Sequence, residues 1–244
     1  MSKRTALITG AAGGLGRVFA AALAAQGIAV AGIDIADTGP AAAAVARAGG
    51  QFTGITADIT DPGVAAVAVG EAAERLGGLD ILVNNAGIYP MIPFAQTTPE
   101  RWRQIMSVNL DGLFYVTSAA LPWLTQSAAG RIVNIASAVV WLGPPGMVAY
   151  TASKGGMIGF TRALASELGP AGVTVNAITP SMIPTETAVA TGVTRDLHRV
   201  VAGQAVPRPQ QPEDLVSTLL YLCDPASSFV TGAAINVDGG HAKH

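Results

Sequence analysis

Residues 5–16 read TALITGAAGGLG, and this stretch decides which fold the sequence predicts. Its first half, Thr5–Thr9, is a short apolar run typical of a buried strand. The glycines at positions 10, 13, 14 and 16 then allow a tight turn before a helix begins. Such a turn lets the backbone approach a pyrophosphate closely, while the helix N-terminus attracts its charge. The stretch therefore predicts a dinucleotide-binding turn.

Beyond this turn, short apolar runs alternate with alanine-rich amphipathic stretches. The predicted strands are Thr5–Thr9, Ala29–Asp34, Phe52–Ala57, Ile81–Asn84, Arg131–Ala136, Val173–Thr179 and Ala234–Val237. The predicted helices are Gly14–Gln26, Pro40–Ala48, Pro62–Leu76, Arg101–Thr125, Ala149–Leu168 and Pro212–Cys223. Continuous apolar strands separated by helices favour a parallel sheet covered on both faces. We expect one α/β domain, residues 1–244, with a doubly wound (Rossmann) fold, three helices on each face and strand order 3-2-1-4-5-6-7.

One connection is longer than the others and lies between the sixth strand and the last long helix. It covers residues 181–211. Long connections inside a compact domain are often lids or binding loops. We therefore expect this segment to cover a substrate site.

The second predicted strand ends in a carboxylate, Asp34, eighteen residues after Gly16. A carboxylate at this place can accept hydrogen bonds from both ribose hydroxyls of an adenosine, and it would repel a 2′-phosphate. No arginine or lysine follows it directly, and Gly13 stands where a phosphate-binding cation could sit. The sequence therefore favours NAD over NADP.

Lys154 is the one lysine between Lys3 and Lys243, and it follows Tyr150 by four residues. On a helix these positions share a face, so the ammonium can reach the phenol or a group that the phenol touches. A nearby cation favours the phenolate, and a tyrosine whose pKa is lowered in this way can exchange a proton with an alcohol or a carbonyl. The pair predicts an acid/base site.

Composition excludes several other functions. Among 244 residues, 50% are apolar and the formal net charge is −2, with no basic run, so nucleic acid and anionic membranes are not expected partners. No apolar stretch is long enough to span a membrane or to form a secretory signal. One cysteine, Cys223, allows no internal disulfide, and the three histidines lack metal-ligand spacing. We expect a cytoplasmic protein without a metal site.

Five groups of residues in this order resemble the short-chain dehydrogenase/reductase family over essentially the whole chain. They are the glycine turn Thr9–Gly16, Asn84-Asn85-Ala86-Gly87, Ser137, Tyr150 with Lys154, and the tail Val237-Asp238-Gly239-Gly240. The resemblance implies hydride transfer between a nicotinamide cofactor and an alcohol or ketone. It also implies a homotetramer, with Arg101–Thr125 and Ala149–Leu168 at the main interface.

The resemblance assigns roles to individual residues. Tyr150 would be the acid/base, Ser137 would bond the substrate oxygen, Lys154 would bond the nicotinamide ribose, and Asn109 would hold a water linked to Lys154. The residues expected to contact NAD(H) are Gly10, Gly13, Gly14, Leu15, Gly16, Asp34, Asp58, Ile59, Asn85, Ala86, Gly87, Tyr150, Lys154, Pro180, Ile183 and Thr185.

The loops after the strands supply the expected substrate pocket. Its candidate residues are Tyr89, Ser137, Val139, Trp141, Met147, Tyr150, Ser181 and Met182. Apolar and aromatic walls suit an uncharged, hydrophobic substrate. The sequence is similar to aryl secondary-alcohol dehydrogenases of the family, such as 1-phenylethanol dehydrogenases. Ser181 departs from the glycine that usually follows Pro180, which affects the choice of substrate rather than the reaction.

Three alternatives remain open. A 3-oxoacyl-[acyl-carrier-protein] reductase would share the catalytic residues but should prefer NADPH and carry a basic docking patch. Pyridoxal- or sugar-type alcohol dehydrogenases of the family are similar overall. A non-catalytic dinucleotide sensor would have no use for Ser137, Tyr150 and Lys154 together. Arg195 and Arg199 in the lid leave room for an anionic substrate group, although we expect them to face solvent.

Overall fold

A computed structural model describes residues 3–243 and contains a seven-stranded parallel sheet. The strands are β1 (Thr5–Thr9), β2 (Ala29–Asp34), β3 (Phe52–Thr56), β4 (Ile81–Asn84), β5 (Arg131–Ile135), β6 (Thr174–Pro180) and β7 (Ala234–Val237). They lie in the order β3-β2-β1-β4-β5-β6-β7, and every neighbouring pair is parallel. The predicted strand order is confirmed.

The central strands have no exposed face. Every residue of β1, β4, β5 and β6 is buried. Successive side chains alternate between two cores: Leu7 belongs to one, whereas Ala6 and Ile8 belong to the other. Because alternate strand residues point to opposite faces, strands buried on both sides read as continuous apolar runs. This is why the short apolar runs of the sequence were sufficient to locate them.

Helices cover both faces of the sheet. The helices are α1 (Gly14–Ala25), α2 (Gly39–Arg47), α3 (Pro62–Leu76), α4 (Pro99–Met106), α5 (Gly112–Leu124), α6 (Val139–Leu142), α7 (Val148–Leu168), α8 (Glu186–Ala190), α9 (Leu197–Gly203) and α10 (Val216–Cys223). Helices α1, α2 and α10 contribute to one core, and α3, α5 and α7 contribute to the other. The expected doubly wound architecture, with three long helices on each face, is confirmed.

The ends of α3 show why its bounds were predictable. The Asp61 side chain accepts a hydrogen bond from the Val64 backbone N–H, and Pro62 occupies the first helical position. Gly77 ends the helix in the left-handed conformation, with φ of 75°. A capping carboxylate, a first-turn proline and a terminal glycine are local signals that need no tertiary context.

The predicted helix Arg101–Thr125 is wrong as a single element. The structure divides this stretch into α4, a π-helical turn Ser107–Asp111, and α5. Pro122 lies inside α5 without ending it. A π-turn adds one residue to a helical turn and is frequent at functional sites. Here the turn carries Asn109 into the protein interior.

The expected lid, residues 181–211, contains α8, α9 and a 3-10 turn at Val193–Asp196, so it is more ordered than the long loop that the sequence suggested. Its two ends are joined by a hydrogen bond of 2.8 Å from the Ser181 backbone N–H to Gln210 Oε1. Arg17 on α1 forms a 3.0 Å ion pair with Glu186 on α8. The two ends of this segment are therefore joined to each other, and its helix α8 is joined to the first helix.

Residues 3–243 contain neither a membrane-spanning helix nor a metal-binding cluster. Within that range, no helix has the length and apolar character needed to cross a membrane. The same residues contain no group of three or more His, Cys, Asp or Glu side chains arranged to hold a metal ion.

Candidate active site

The turn after β1 is built from glycines because side chains would collide there. Gly10 has φ of 67°, and a Cβ on it would lie 2.9 Å from Ala86 Cα. A Cβ on Gly16 would lie 2.2 Å from the carbonyl oxygen of Gly10. L-residues rarely adopt positive φ, and contacts this short are not tolerated. The glycine pattern therefore reflects a backbone folded tightly against itself.

Helix α1 begins on this turn and leaves its first amides available. Its N-cap, Gly13, has no side chain with which to cap them. A Cβ on Gly14 would lie 3.0 Å from the Thr185 side chain, so the missing side chain leaves a narrow opening between the turn and the lid. The first amides of a helix lack intrahelical partners and favour an anion. The uncapped amides at this helix end are therefore a candidate site for a pyrophosphate group.

Asp34 stands at the end of β2, beside the turn. Its Oδ2 accepts a 2.9 Å hydrogen bond from the Ala12 backbone N–H, and Oδ1 accepts one of 2.9 Å from Ala36. The two bonds fix the carboxylate at the end of the strand. A carboxylate has further lone pairs, so it can still accept hydrogen bonds from ribose hydroxyls.

A first cavity of about 660 Å³, which we call the cofactor cavity, opens along the carboxyl ends of β1, β2 and β4. The predicted cofactor residues that line it are Gly10, Gly13, Gly14, Leu15, Asp34, Asp58, Ile59, Asn85, Ala86, Gly87 and Thr185. Gly16 lies beneath the turn and does not line it. The lining carries two carboxylates, those of Asp34 and Asp58, and within the described residues it includes no arginine or lysine.

Asn85 joins the turn after β1 to the end of β4. Its Nδ2 donates to the carbonyl oxygens of Thr9 and Gly10, both at 3.0 Å. The backbone N–H groups of Asn85 and Ala86 both donate to Thr9 Oγ1 at 3.1 Å. These bonds hold the floor of the cofactor cavity in place. Asp58, at its far side, accepts hydrogen bonds from Thr60.

Ser137, Tyr150 and Lys154 come together where β5 meets α7. Ser137 follows β5, and its side chain is hydrogen-bonded to Tyr150. Lys154 lies one turn after Tyr150, with Nζ 5.8 Å from the centroid of the tyrosine ring. Lys154 is 3% exposed, and its Nζ donates to the carbonyl oxygen of Ile135 at 2.6 Å. The three predicted side chains therefore lie in one cluster.

The electrostatics of this cluster differ from our expectation. Burial raises the pKa of Tyr150 to about 12, although its hydrogen bond with Ser137 acts in the opposite direction. Burial also lowers the pKa of Lys154 to about 7. The amine is bonded to the Ile135 carbonyl, and at neutral pH a large fraction of it is uncharged. The expected lowering of the phenol pKa by Lys154 is therefore not seen in this structure.

Asn109, in the π-turn, connects the cofactor cavity to α7. Its Nδ2 donates to the Ile88 carbonyl oxygen at 2.9 Å and to Ser153 Oγ at 3.0 Å. Its Oδ1 accepts a hydrogen bond of 2.8 Å from the Ile88 backbone N–H. Protein groups occupy most of this amide, so a water bound by Asn109 would have to use the remaining lone pair of Oδ1 or the backbone of the turn.

A second cavity of about 570 Å³, which we call the substrate cavity, opens on Ser137, Tyr150 and Lys154. Tyr89, Val139, Met147, Ser181 and Met182 line it as predicted, and so do the cofactor candidates Pro180 and Ile183. Leu142, Pro144, Pro145 and Met91 add apolar surface. The two cavities share five lining residues, which are Leu15, Asn85, Gly87, Tyr89 and Thr185. One elongated ligand could therefore extend from one cavity into the other.

The structure does not bring Trp141 to this cavity. Its Nε1 donates to Asn236 Oδ1 at 3.0 Å, and its ring packs against a small core behind β5 and β6. Helix α6 is a single turn, in which Val139 and Leu142 share the side that faces the cavity. Trp141 occupies the other side of that turn. A sequence motif gives no orientation for such a short helix.

Arg199 and His241 are among the residues that line the substrate cavity without having been predicted there. Arg199 reaches the cavity from α9, although its side chain is 77% exposed and lies 3.7 Å from Asp196. His241 reaches it from the tail after β7. The sequence signal that could have indicated this return is the glycine pair Gly239-Gly240. In the structure both glycines adopt positive φ, and the chain turns back there.

Comparisons with known proteins define the class to which the chain belongs. Residues 10–242 match the family model described as enoyl-(acyl carrier protein) reductase. The chain belongs to the short-chain dehydrogenase/reductase family and is an oxidoreductase of that family, whose members use nicotinamide cofactors.

Individual relatives are similar over their whole length. The 3-oxoacyl-[acyl-carrier-protein] reductase of Synechocystis sp. is 36% identical over 247 residues, which cover 98% of this chain and 97% of the relative. A (2S)-[(R)-hydroxy(phenyl)methyl]succinyl-CoA dehydrogenase subunit of Thauera aromatica is 38% identical, with coverage of 99% and 98%. A solved variant of actinorhodin polyketide ketoreductase with NADPH has a TM-score of 0.93 at 32% identity, with coverage of 99% and 98%.

Proposed function

We propose that this protein is an NAD(H)-dependent alcohol dehydrogenase that interconverts a hydrophobic, aryl secondary alcohol and its ketone. The observation that carries the proposal is the cluster of Ser137, Tyr150 and Lys154 in a mainly apolar cavity. That cavity is continuous, through five shared residues, with the glycine-lined cavity beside Asp34. A phenol with a hydroxyl partner, next to space for a nicotinamide, is suited to moving a proton while a hydride moves.

The residues of the cofactor cavity fit a dinucleotide. The first amides of α1 would hold the pyrophosphate, Asp34 the adenosine ribose, Asp58 and Ile59 the adenine, and Ile183 and Thr185 the carboxamide. Lys154 would hold the nicotinamide ribose. When bound, the nicotinamide ring supplies a carbon that accepts or donates the hydride.

The charges in the cofactor cavity support NAD. Both ionised groups in its lining are carboxylates, and a 2′-phosphate beside Asp34 would meet repulsion. The test is the ratio of kcat/KM for NADH to that for NADPH, which we expect to exceed ten in the natural protein. Asp34→Ser should lower this ratio, whereas the matched change Asp37→Ser, at an exposed turn carboxylate, should leave it unchanged. A higher value for NADPH in the natural protein would refute the assignment.

The chain's own groups would perform the proton chemistry of the reaction. In alcohol oxidation, Tyr150 would first lose its phenolic proton, for which the uncharged amine of Lys154 is the available acceptor. Ser137 would then donate a hydrogen bond to the substrate oxygen while the Tyr150 phenolate removes the hydroxyl proton. In ketone reduction, Tyr150 returns that proton to the carbonyl oxygen. The buried amine of Lys154 lies one turn away and can change its charge near neutral pH. The apolar walls exclude water from the reacting carbon.

The apolar lining supports a hydrophobic substrate. Met91, Leu142, Pro144, Pro145 and Met147 surround the space beside Ser137 and Tyr150. The Thauera relative is named for a compound that carries a hydroxy(phenyl)methyl group, and this also supports an aryl alcohol. Pyridoxal- or sugar-type alcohols carry several polar groups and would need more polar partners than these mainly apolar walls offer.

A second candidate function is reduction of a 3-oxoacyl thioester. It is favoured by the similarity to the Synechocystis reductase and by Arg199, a cation at the cavity mouth that could meet an acidic carrier. An activity panel over aryl ketones, sugars, steroids and acetoacetyl thioesters separates the candidates. We expect aryl ketones to give the highest kcat/KM with NADH. If acetoacetyl thioesters exceed every aryl ketone, the second candidate replaces the first.

A homotetramer is part of the proposal. Phe114 on α5 and Val148 on α7 are exposed large apolar side chains on the two helices expected at the interface. On α7, a Cβ added to Gly155 or Gly159 would meet nothing within 4 Å, so this surface is open to close approach by another helix. Exposed apolar side chains and small residues together support contact with a second copy of the chain.

A further inference from the structure

The tail after β7 folds back over the substrate cavity. Gly239 and Gly240 adopt φ of 68° and 75°, a conformation that reverses the chain. The buried Asp238 carboxylate accepts hydrogen bonds of 2.9 Å from the Gly240 N–H and 2.8 Å from the Ala242 N–H. A buried carboxylate that accepts two backbone bonds fixes the shape of a turn. The tail therefore has a defined conformation that hydrogen bonds hold in place.

This turn places the imidazole of His241 beside Ser181. The distance from His241 Nδ1 to Ser181 Oγ is 3.4 Å, and both residues line the substrate cavity. On its other side the ring packs against the end of α9, where a Cβ on Gly203 would lie 2.9 Å from His241 Nε2. The absence of a side chain at Gly203 leaves room for the ring.

Ser181 is also held in a defined position. Its backbone N–H donates to Oε1 of the buried Gln210, and Gln210 Nε2 donates to the Val237 carbonyl oxygen at 2.5 Å. The preceding Pro180 accepts a hydrogen bond from the Ala138 N–H, so Ser181 lies at the strand end next to that of Ser137. The polar pair is thus anchored close to the residues that act on the substrate oxygen.

We infer that Ser181 and His241 form a polar subsite that binds a second hydrogen-bonding group of the substrate. The inference rests on the proposed function and specifies its substrate class: a secondary alcohol or ketone that carries a further hydroxyl, carbonyl or ring nitrogen near the reacting carbon. A neutral imidazole offers one donor and one acceptor, and a hydroxyl offers both. At 3.4 Å these groups bind each other weakly, which leaves capacity for a ligand.

The subsite also gives a reason for the serine at position 181. Most of the cavity wall is apolar, so a buried polar group of a substrate would lose its water there without compensation. A pair of hydrogen-bonding side chains removes this penalty for one class of substrate. A site built to bond a substrate hydroxyl discriminates against the analogue without it.

The test compares acetophenone with its α-hydroxylated analogue and its three ring-hydroxylated isomers, reduced with NADH. We expect the natural protein to show a higher kcat/KM for at least one hydroxylated ketone than for acetophenone. His241→Leu and Ser181→Gly should each lower that ratio by about threefold to tenfold, which is the effect of one lost hydrogen bond. His198→Leu is the matched control, because His198 is exposed on α9 and does not line the cavity.

Two results would overturn the inference: no preference for any hydroxylated ketone in the natural protein, or a preference that survives both substitutions. A natural protein that reduces none of the five ketones contradicts the proposed function instead. Calorimetric binding of the same ketones to the protein with NADH then decides the inference. A binding preference that His241→Leu removes supports it, and equal or undetectable binding of all five ketones refutes it. Thermal melting of each variant confirms that it is folded.

Discussion

Lys154 lies in an environment that is unusual for a lysine. Its amine is buried, bonded to the Ile135 carbonyl, and close to the face of the Tyr150 ring. An ammonium in such a place has lost most of its hydration, so its charged form is disfavoured. The consequence is a lysine that titrates near neutral pH, in the range where the proposed reaction would run.

This environment predicts how stability depends on pH. The pKa of Lys154 is about 7 in the folded protein and about 10.5 in the unfolded chain, so between these values the unfolded state binds more protons. The unfolding free energy of the cofactor-free protein should therefore rise from pH 7 to about pH 9, by up to about 1.4 kcal/mol per pH unit from this group. Urea unfolding at several pH values measures it.

The control for this prediction is Lys154→Met, which has no titrating amine. Its unfolding free energy should lack this rise, so the difference between the two proteins should change with pH over that window. The raised pKa of Cys223 acts in the opposite direction above about pH 9, and that of Tyr150 above about pH 10. Both effects occur in both proteins, because the unfolded chain loses these protons first. Parallel curves between pH 7 and pH 10 would show that Lys154 titrates normally.

Tyr150→Phe tests the proton chemistry at the level of one oxygen atom. The change removes the hydroxyl and keeps the ring, so kcat should fall by about 10²- to 10⁴-fold, as expected for loss of an acid/base group. NADH affinity, measured by fluorescence, should remain within about threefold because most of the cofactor cavity is unchanged. Tyr221→Phe, at an exposed tyrosine on α10, is the matched control. Turnover that persists in Tyr150→Phe would assign the role to another group.

Among the elements, α1 and its glycine turn leave no room for an added side chain at Gly16. Gly16→Ala would place a Cβ 2.2 Å from the Gly10 carbonyl oxygen, so the turn would have to open. We expect NADH affinity to fall at least tenfold and the melting temperature to drop. Calorimetry with NADH and thermal unfolding measure the two effects.

Gly70→Ala in α3 is the matched control for that substitution. An added Cβ there meets nothing within 4 Å, and alanine favours a helix by about 1 kcal/mol relative to glycine. This variant should bind NADH normally and be slightly more stable. If the two variants had the same NADH affinity and the same melting temperature, the turn would not depend on the short distance between Gly16 and the Gly10 carbonyl oxygen.

The elements also show what could be predicted from the sequence. The strands were found because β1, β4, β5 and β6 are buried on both faces, and α3 was found because its caps are local. The π-turn was not predicted, since it is stabilised by hydrogen bonds from Asn109 to Ile88 and Ser153, which are distant in sequence. Helices α8 and α9 are too short to show a clear period, and they depend on packing against the rest of the chain.

The same distinction applies to the candidate site. The proximity of Tyr150 and Lys154 follows from a spacing of one helical turn, and Ser137 was placed beside them by its position after a strand and by the family resemblance. The side of α6 to which Trp141 belongs, and the return of His241 to the cavity, depend on tertiary packing that the motif does not encode. The direction of the pKa shift at Tyr150 also required the structure, because burial outweighs the neighbouring groups.

At the scale of the whole molecule, the residues of the candidate active site lie together at one edge of the sheet. The glycine turn follows β1, Asn85 follows β4, Ser137 follows β5 and Ser181 follows β6. In parallel sheets the carboxyl ends of all strands lie on the same side, where open α/β folds bind their ligands. The strand order places β1 and β4 next to each other, so the two cavities meet at the point where the chain reverses direction across the sheet.

The proposed assembly is testable at this scale. Light scattering should give a mass near four times that of the chain, which is 24.6 kDa. Phe114→Asp places a charge on the exposed apolar face of α5 and should yield smaller species, because a buried unpaired charge is costly. Val67→Asp, at a similarly exposed position on α3, should leave the mass unchanged. A monomer mass for the natural protein would contradict the assembly.

The segment 181–211 offers a last consequence, because its two ends lie close together. The hydrogen bond from Ser181 to Gln210 joins its two ends, and the ion pair between Arg17 and Glu186 ties α8 to α1. Tyr150 and Lys154 belong to α7, outside this segment. A segment whose two ends lie close together can be replaced by another segment that spans the same short distance. We therefore expect that replacing it with the corresponding segment of a relative would change which substrates are accepted, while the proton chemistry of Tyr150 and Lys154 stays the same.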